Sequence, residues 1–213
     1  MYAFLRGILL KIYIIRHGET FGNLTGDGFS ETDLTPKGER QISLLGERFK
    51  EEKIDKFYVS PLVRAVKTAN AVREYHKNTP IIIDSLLLEK GTAPDYIGLH
   101  DNEIKKLCPD AVINPRTPLG EEDDIKAYSR AKEIIEKIKS ENGFENTVVI
   151  IAHGTFNSYL VLAALDFPLK ENFNFSHVNT GVSLVQTIKE NGVIKTKLKF
   201  LNDYSHLDEL PQL

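Results

Sequence analysis

"KIYIIRHGET" (residues 11–20) runs from a nearly unbroken set of β-branched and aromatic residues straight into arginine, histidine and glycine. An apolar run without polar alternation is what a strand covered on both faces requires, and such strands belong to parallel sheets flanked by helices. The pattern returns as "TVVIIAHGT" (147–155), again a buried strand that ends on histidine and glycine. Two strands of this kind, far apart in the chain, imply an α/β protein.

The stretches between them alternate accordingly. "LTPKGERQISLLGERFKEE" places Pro36 in a first turn and Ile42, Leu45 and Phe49 at helical spacing, which predicts a helix over 36–52. "KFYVS" (56–60) reads as a strand feeding a helix over 61–76, with Leu62, Ala65, Val66, Ala69 and Val72 along one face. "IIID" (81–84) is a third strand. Residues 90–120 carry prolines and glycines with little periodicity beyond a short helix near 101–108, and read as an insertion or lid. A helix over 121–143 begins with acids, carries Ile125, Tyr128, Ala131, Ile135 and Ile138 as a stripe, and stops at Asn-Gly. "FNSYLVLAAL" continues the late strand as a helix, and "GVSLVQTI" and "VIKTKLKFL" form a hairpin across the Asn-Gly of "KENG". The expected architecture is a three-layer α/β/α sandwich with a mostly parallel sheet and a C-terminal antiparallel hairpin, all in a single domain over 1–213.

Composition narrows the function. With 41% hydrophobic and 27% charged residues and a formal net charge of −3, the 213-residue chain has the balance of a soluble globular protein and no basic surplus for nucleic acid or an anionic membrane. Cys108 is the single cysteine, which excludes an internal disulfide and fits a reducing cytoplasm; beside Pro109 it reads as a small packing residue. Lys11 interrupts the N-terminal apolar stretch well short of the about 18 residues that span a bilayer, and no signal-peptide cleavage site follows. That end reads as a strand preceded by a short leader, to which no role is assigned over residues 1–9.

In open α/β sheets the ligand site lies beyond the carboxyl ends of the strands. Arg16 and His17, Arg64, Glu89 and His153 all fall there on this topology. Arginine forks match phosphate oxygens, and glycine after each histidine allows close backbone approach near a helix N-terminus. A neutral imidazole is a competent nucleophile toward phosphorus, and a carboxylic acid can protonate the leaving oxygen and later deprotonate water. Taken singly, each residue also has an ordinary reading: a structural histidine, a surface arginine, a solvated carboxylate, or for Asn23 a loop or cap residue. Glu89 competes with Asp84, Asp95 and Glu103 for the acid's place. His76, His100, His177 and His206 read as surface residues, with His177 the one that approaches the site.

The stretches "RHGETFGN" (16–23), "DLTPKGERQ" (33–41), "VSPLVRAVKTA" (59–69), "LLLEKG" (86–91), "GEE" (120–122), "VVIIAHGTFN" (148–157) and "NTGVSLV" (179–185) together resemble the histidine phosphatase superfamily, which contains cofactor-dependent phosphoglycerate mutases and small phosphatases. The resemblance implies His17 as the phosphorylated nucleophile and Glu89 as proton donor and base. It implies Arg16, Arg64 and His153 as ligands of the phosphoryl oxygens, with Asn23 and the Gly154 N–H as helpers, and neither a metal nor another cofactor. Mutases of the group carry a longer insertion with extra arginines, whereas here the insertion's one arginine is Arg116, which favours hydrolysis of a small phosphate monoester over mutase transfer. A phosphoglycerate mutase and a non-catalytic phospho-ligand binding module stand as alternatives. No nucleic acid or membrane partner is expected, and the protein is expected as a monomer or homodimer. Specificity is assigned to residues 90–120 and the loop around Phe21 and Phe29.

Overall fold

The computed structural model describes residues 7–27, 31–143, 145–171 and 174–208. Among them β1 (Gly7–Arg16), β2 (Lys56–Val59), β3 (Ile81–Ile83), β4 (Val112–Ile113), β5 (Asn146–Ala152), β6 (Val182–Glu190) and β7 (Val193–Asp203) form one sheet of order β4-β3-β2-β5-β1-β6-β7. The pairs β1/β5, β2/β5, β2/β3 and β3/β4 are parallel, and β1/β6 and β6/β7 antiparallel. The helices are α1 (Phe21–Thr25), α2 (Pro36–Phe49), α3 (Val63–Arg73), α4 (Asp101–Leu107), α5 (Asp124–Glu141) and α6 (Gly154–Ala164).

The unbroken apolar run of β1 has a direct cause. Ile12 and Ile14 pack on one face against Ala131, Ile135 and Leu160 of α5 and α6. Tyr13 and Ile15 pack on the other, among Leu45 and Phe49 of α2 and Ala65 and Ala69 of α3. Successive side chains of a strand point to opposite faces, so both sets must be apolar when both faces are covered.

Several boundaries differ from the sequence reading for physical reasons. β1 begins at Gly7 rather than Lys11, because Gly7, Ile8 and Leu10 pair with Lys189, Ile188 and Thr187 of β6 across a bulge; residues 1–6 lie outside the described residues. α3 starts after Pro61, with Leu62 as its N-cap, and α2 ends at Phe49. In α5 the cap is Asp123, whose side chain accepts from Lys126 N, and the buried stripe is Ala127, Ala131, Ile134, Ile135 and Ile138, leaving Ile125 70% exposed in the first turn. The hairpin turn has positive φ at both Asn191 and Gly192, as a two-residue turn matched to strand twist requires.

Residues 90–120 are built into the sheet side rather than standing apart. Ile104 of α4, Cys108 and Ala111 are buried in the core beneath α3, and β4 extends the sheet. Two residues escape any periodicity, which is why β4 leaves no trace in the sequence. No helix among the described residues is long and apolar enough to cross a membrane.

Candidate active site

Register brings the two histidines together. Arg16 lies opposite Ala152 in the parallel β1/β5 pair, so the residue after each is a histidine at the same rim. The His17 and His153 ring centroids are 5.2 Å apart, and both rings are buried. β2 ends one strand further along, and there the Ser60 hydroxyl lies 2.8 Å from His153 Nε2.

His17 Nδ1 lies 2.7 Å from the Gly18 carbonyl. A carbonyl only accepts, so Nδ1 carries the proton and Nε2 keeps its lone pair. Burial, reinforced by the Arg64 and Arg16 cations, pushes the His17 pKa well below the usual imidazole range, and the same causes act on His153. Both imidazoles are neutral at pH 7.

Gly18 serves packing: an added Cβ would sit 2.7 Å from Ile42 Cγ2 and 3.0 Å from the Gly38 carbonyl of α2. That differs from the expectation that it opens the approach for an anion. At Gly154 an added Cβ would lie 3.2 Å from Arg16 Nε, so this glycine leaves room for the guanidinium.

Arg64, in the first turn of α3, is 1% exposed and faces Glu31 and Glu89 electrostatically. Arg16 donates from Nη1 to the His177 carbonyl at 2.7 Å, while its buried Nε and the buried Nδ1 of His153 have no hydrogen-bond partner among the described residues. Asn23 is a cap residue and more. Its Oδ1 accepts from Thr20 N in the capping box of α1 and from Asn179 Nδ2, both at 3.1 Å.

Glu89 caps α6 from outside, accepting from Phe156 N at 2.9 Å and Thr155 N at 3.2 Å. Burial raises its pKa above the ordinary carboxylate value, although these donors and Arg64 pull the other way. Of the competing acids, Asp84 is tied to Lys137 and Asn114. Arg16, His17, Asn23, Glu89 and Gly154 line a cleft of about 350 Å³, with Arg64 and His153 buried beneath. Its walls include Gly22, Asn23 and Gly26, in the expected loop between Phe21 and Phe29, and residues 174–177, which the sequence did not single out; none of residues 90–120 is among the described lining residues, and Phe29 lies outside the described residues.

The sequence reading passed over the supports of this site. Thr180 donates its N–H to the carbonyls of both Arg16 and His17, at 3.1 and 3.2 Å, from a positive φ of 57°, and Asn179 Nδ2 donates to the His17 carbonyl at 3.1 Å. Arg130 grips Glu122 with Nε and Nη2 at 2.7 and 2.6 Å, donates from Nη1 to the carbonyls of Leu86 and Leu88, and lies 3.8 Å over the Phe156 ring. It therefore fixes the chain just before Glu89. "GEE" and "NTG" stood out in the sequence, yet nothing in their spacing shows which backbone groups they hold. Because the Arg130–Glu122 pair is buried, Glu122→Ala leaves an uncompensated cation and is expected to destabilise the protein by about 3 kcal/mol in urea denaturation.

His206 differs from the surface residue expected: it is half-buried, with Nε2 3.0 Å from Thr180 Oγ1 and Nδ1 3.1 Å from Arg48 Nη1. Burial, then Arg48, pushes its pKa down to about 4. The unfolded chain therefore binds a proton there first as pH falls below the ordinary value, and the stability tied to neutral His206 is lost between about pH 6.5 and 4. Between pH 7 and 5 the stability advantage of wild type over His206→Gln should shrink by about 1 kcal/mol after discounting for solvent screening, read from urea midpoints at the two pH values.

The sequence profile of the histidine phosphatase superfamily (branch 1) matches residues 12–198, nearly the whole chain. The chain belongs to this superfamily. As a histidine phosphatase superfamily member it is 27% identical over 209 residues to phosphoserine phosphatase 1 of Hydrogenobacter thermophilus, covering 94% of this chain and 96% of that protein. It is 28% identical over 209 residues to phosphoglycerate mutase-like protein 4 of Arabidopsis thaliana, covering 93% and 87%. The solved structure of Bacillus stearothermophilus YhfR superposes with a TM-score of 0.65 at 24% identity, covering 92% of this chain and 98% of that one, and so shares the fold. Among the described residues no group of three or more His, Cys, Asp or Glu side chains is arranged to hold a metal ion.

Proposed function

We propose that this histidine phosphatase superfamily protein is a metal-independent phosphomonoesterase that hydrolyses a small phosphate monoester through a phosphohistidine on His17, the whole chain acting as one domain. The observation that carries the reading is the pair of buried, unpartnered polar atoms, Arg16 Nε and His153 Nδ1, beside a neutral nucleophilic imidazole. Groups of that kind are costly to leave unpaired, and phosphoryl oxygens satisfy them.

The His17 Nε2 lone pair attacks phosphorus, and the bond from phosphorus to the ester oxygen breaks. Glu89, whose proton affinity burial raises, gives its proton to that oxygen and the alcohol departs. Water then attacks the phosphohistidine, the Glu89 carboxylate takes its proton, and inorganic phosphate leaves with His17 restored. Arg16 and Arg64, with His153 and the Gly154 N–H, balance the charge of the phosphoryl group, and Asn23 shapes the cleft edge.

Hydrolysis is favoured over mutase transfer because Arg116 is spent elsewhere. Its guanidinium is bound to the carbonyls of Ile97 and Leu99 and to Asp101, so the insertion's one arginine is not available to retain a second phosphate. The Hydrogenobacter relative carries a phosphatase name and the Arabidopsis relative a mutase-like one. The test is to supply 3-phosphoglycerate with a bisphosphoglycerate primer, and separately p-nitrophenyl phosphate, with and without EDTA. Release of free phosphate in EDTA, and an acid-labile, base-stable phosphoenzyme, are expected. Isomerisation without phosphate release would make it a mutase, and neither turnover nor phosphohistidine would make it a binding module.

A further inference from the structure

We propose that His177 selects the leaving group by hydrogen bonding, and that the group accepted is a small polar alcohol without net charge. The inference rests on the phosphatase reading above.

His177 lines the cleft, yet it is only 5% exposed, and neither of its ring nitrogens has a hydrogen-bond partner among the described residues. A buried imidazole with both nitrogens unpaired forgoes about 1–3 kcal/mol for each polar group, so the chain holds this ring for a partner it does not itself supply. Its own carbonyl accepts from Arg16 Nη1, which fixes the residue beside the phosphoryl position. Burial and the Arg16 charge push its pKa down to about 4, so near neutral pH it offers one donor and one acceptor rather than a cation.

The rest of the wall is uncharged too. Asn23, Thr155, Asn174 and Ser176 face the cleft, and Arg16 is the one cation lining it among the described residues. The sequence carries no charged side chain at 28–30 or 172–173. A phosphoryl dianion engages Arg16 and Arg64, so a carboxylate on an otherwise uncharged leaving group meets no further cation among the described lining residues. A polyol, or a zwitterion whose ammonium balances its carboxylate, meets no such penalty.

Phosphate release from L-phosphoserine, glycerol 1-phosphate, 3-phosphoglycerate and p-nitrophenyl phosphate tests this on the full chain. Phosphoserine and 3-phosphoglycerate have the same size, and replacing ammonium by hydroxyl leaves the latter's alcohol with one net negative charge. Wild type is expected to favour phosphoserine or glycerol 1-phosphate over 3-phosphoglycerate by tenfold or more in kcat/KM. His177→Leu should raise KM tenfold or more for the favoured ester, with a loss at least fivefold smaller on p-nitrophenyl phosphate. His177→Gln, a neutral donor and acceptor, should recover most of that loss. Equal or greater activity on 3-phosphoglycerate overturns the proposal without any variant, and so does an equal loss, or none, on both kinds of ester in either variant. p-Nitrophenyl phosphate separates the two readings: cleavage of it without the expected preference sinks this inference alone, whereas no release from any of the four esters removes the phosphatase reading itself.

Discussion

His17→Ala should lower phosphate release by at least ~10⁴-fold while inorganic phosphate still binds. The loss is large because the proposed mechanism has one nucleophile. No other imidazole combines a free Nε2 lone pair with both guanidinium neighbours, and His153 has its Nε2 engaged by Ser60. Binding persists because Arg16, Arg64 and His153 are held by elements that do not depend on the His17 ring, such as the His177 carbonyl for Arg16. Single-turnover phosphate release measures the first quantity, and titration calorimetry with inorganic phosphate the second. Residual activity near wild type would remove His17 from its role.

Glu89→Gln should act selectively. An alkyl ester leaves as a poor alkoxide and needs the proton, so its kcat is expected to fall by about 10²–10⁴-fold; p-nitrophenolate leaves unaided, so its rate should fall less than about tenfold. Glutamine keeps the size and can still accept from Phe156 N, so the helix cap survives the change. The pH profile adds an independent sign. Burial raises the Glu89 pKa, so the acid form persists above the ordinary carboxylate range and the alkyl-ester rate falls on the alkaline side as it ionises. In the variant that limb should be gone. Equal losses on both esters would place the acid elsewhere.

The sheet was legible because β1 and β5 are buried on both faces, a demand that leaves a continuous apolar signature in sequence. The site followed from it, since strand ends in a parallel sheet converge and Arg16, His17 and His153 sit directly at two such ends. What sequence could not reveal depends on contacts between distant backbones. Thr180 acts through its N–H, which every residue but proline has, and Arg130 through two carbonyls of the Leu86–Leu88 segment. Glu89 was hard to single out among its neighbours because its mark is burial against the α6 N-terminus, a property of packing rather than of spacing. The loop after Phe21 was legible as one cleft wall, but the other was missed because 174–177 follows α6 without any periodic pattern of its own, whereas the proline-rich 90–120 feeds the core.

The anchoring of Arg16 and His17 by Asn179 and Thr180 bears on how the protein is made. A chain emerging from the ribosome can already pair β1, β2 and β5 once residue 152 is out, and with α6 it can bury one face of that sheet. The carbonyls of the nucleophile segment have no clasp until residues 177–180 follow, and β1 stays an open edge until β6 docks beside it. Synthesis through α6 therefore yields a sheet but an unset nucleophile, and chemical competence waits on residues 177–180 and the β6 strand that follows them.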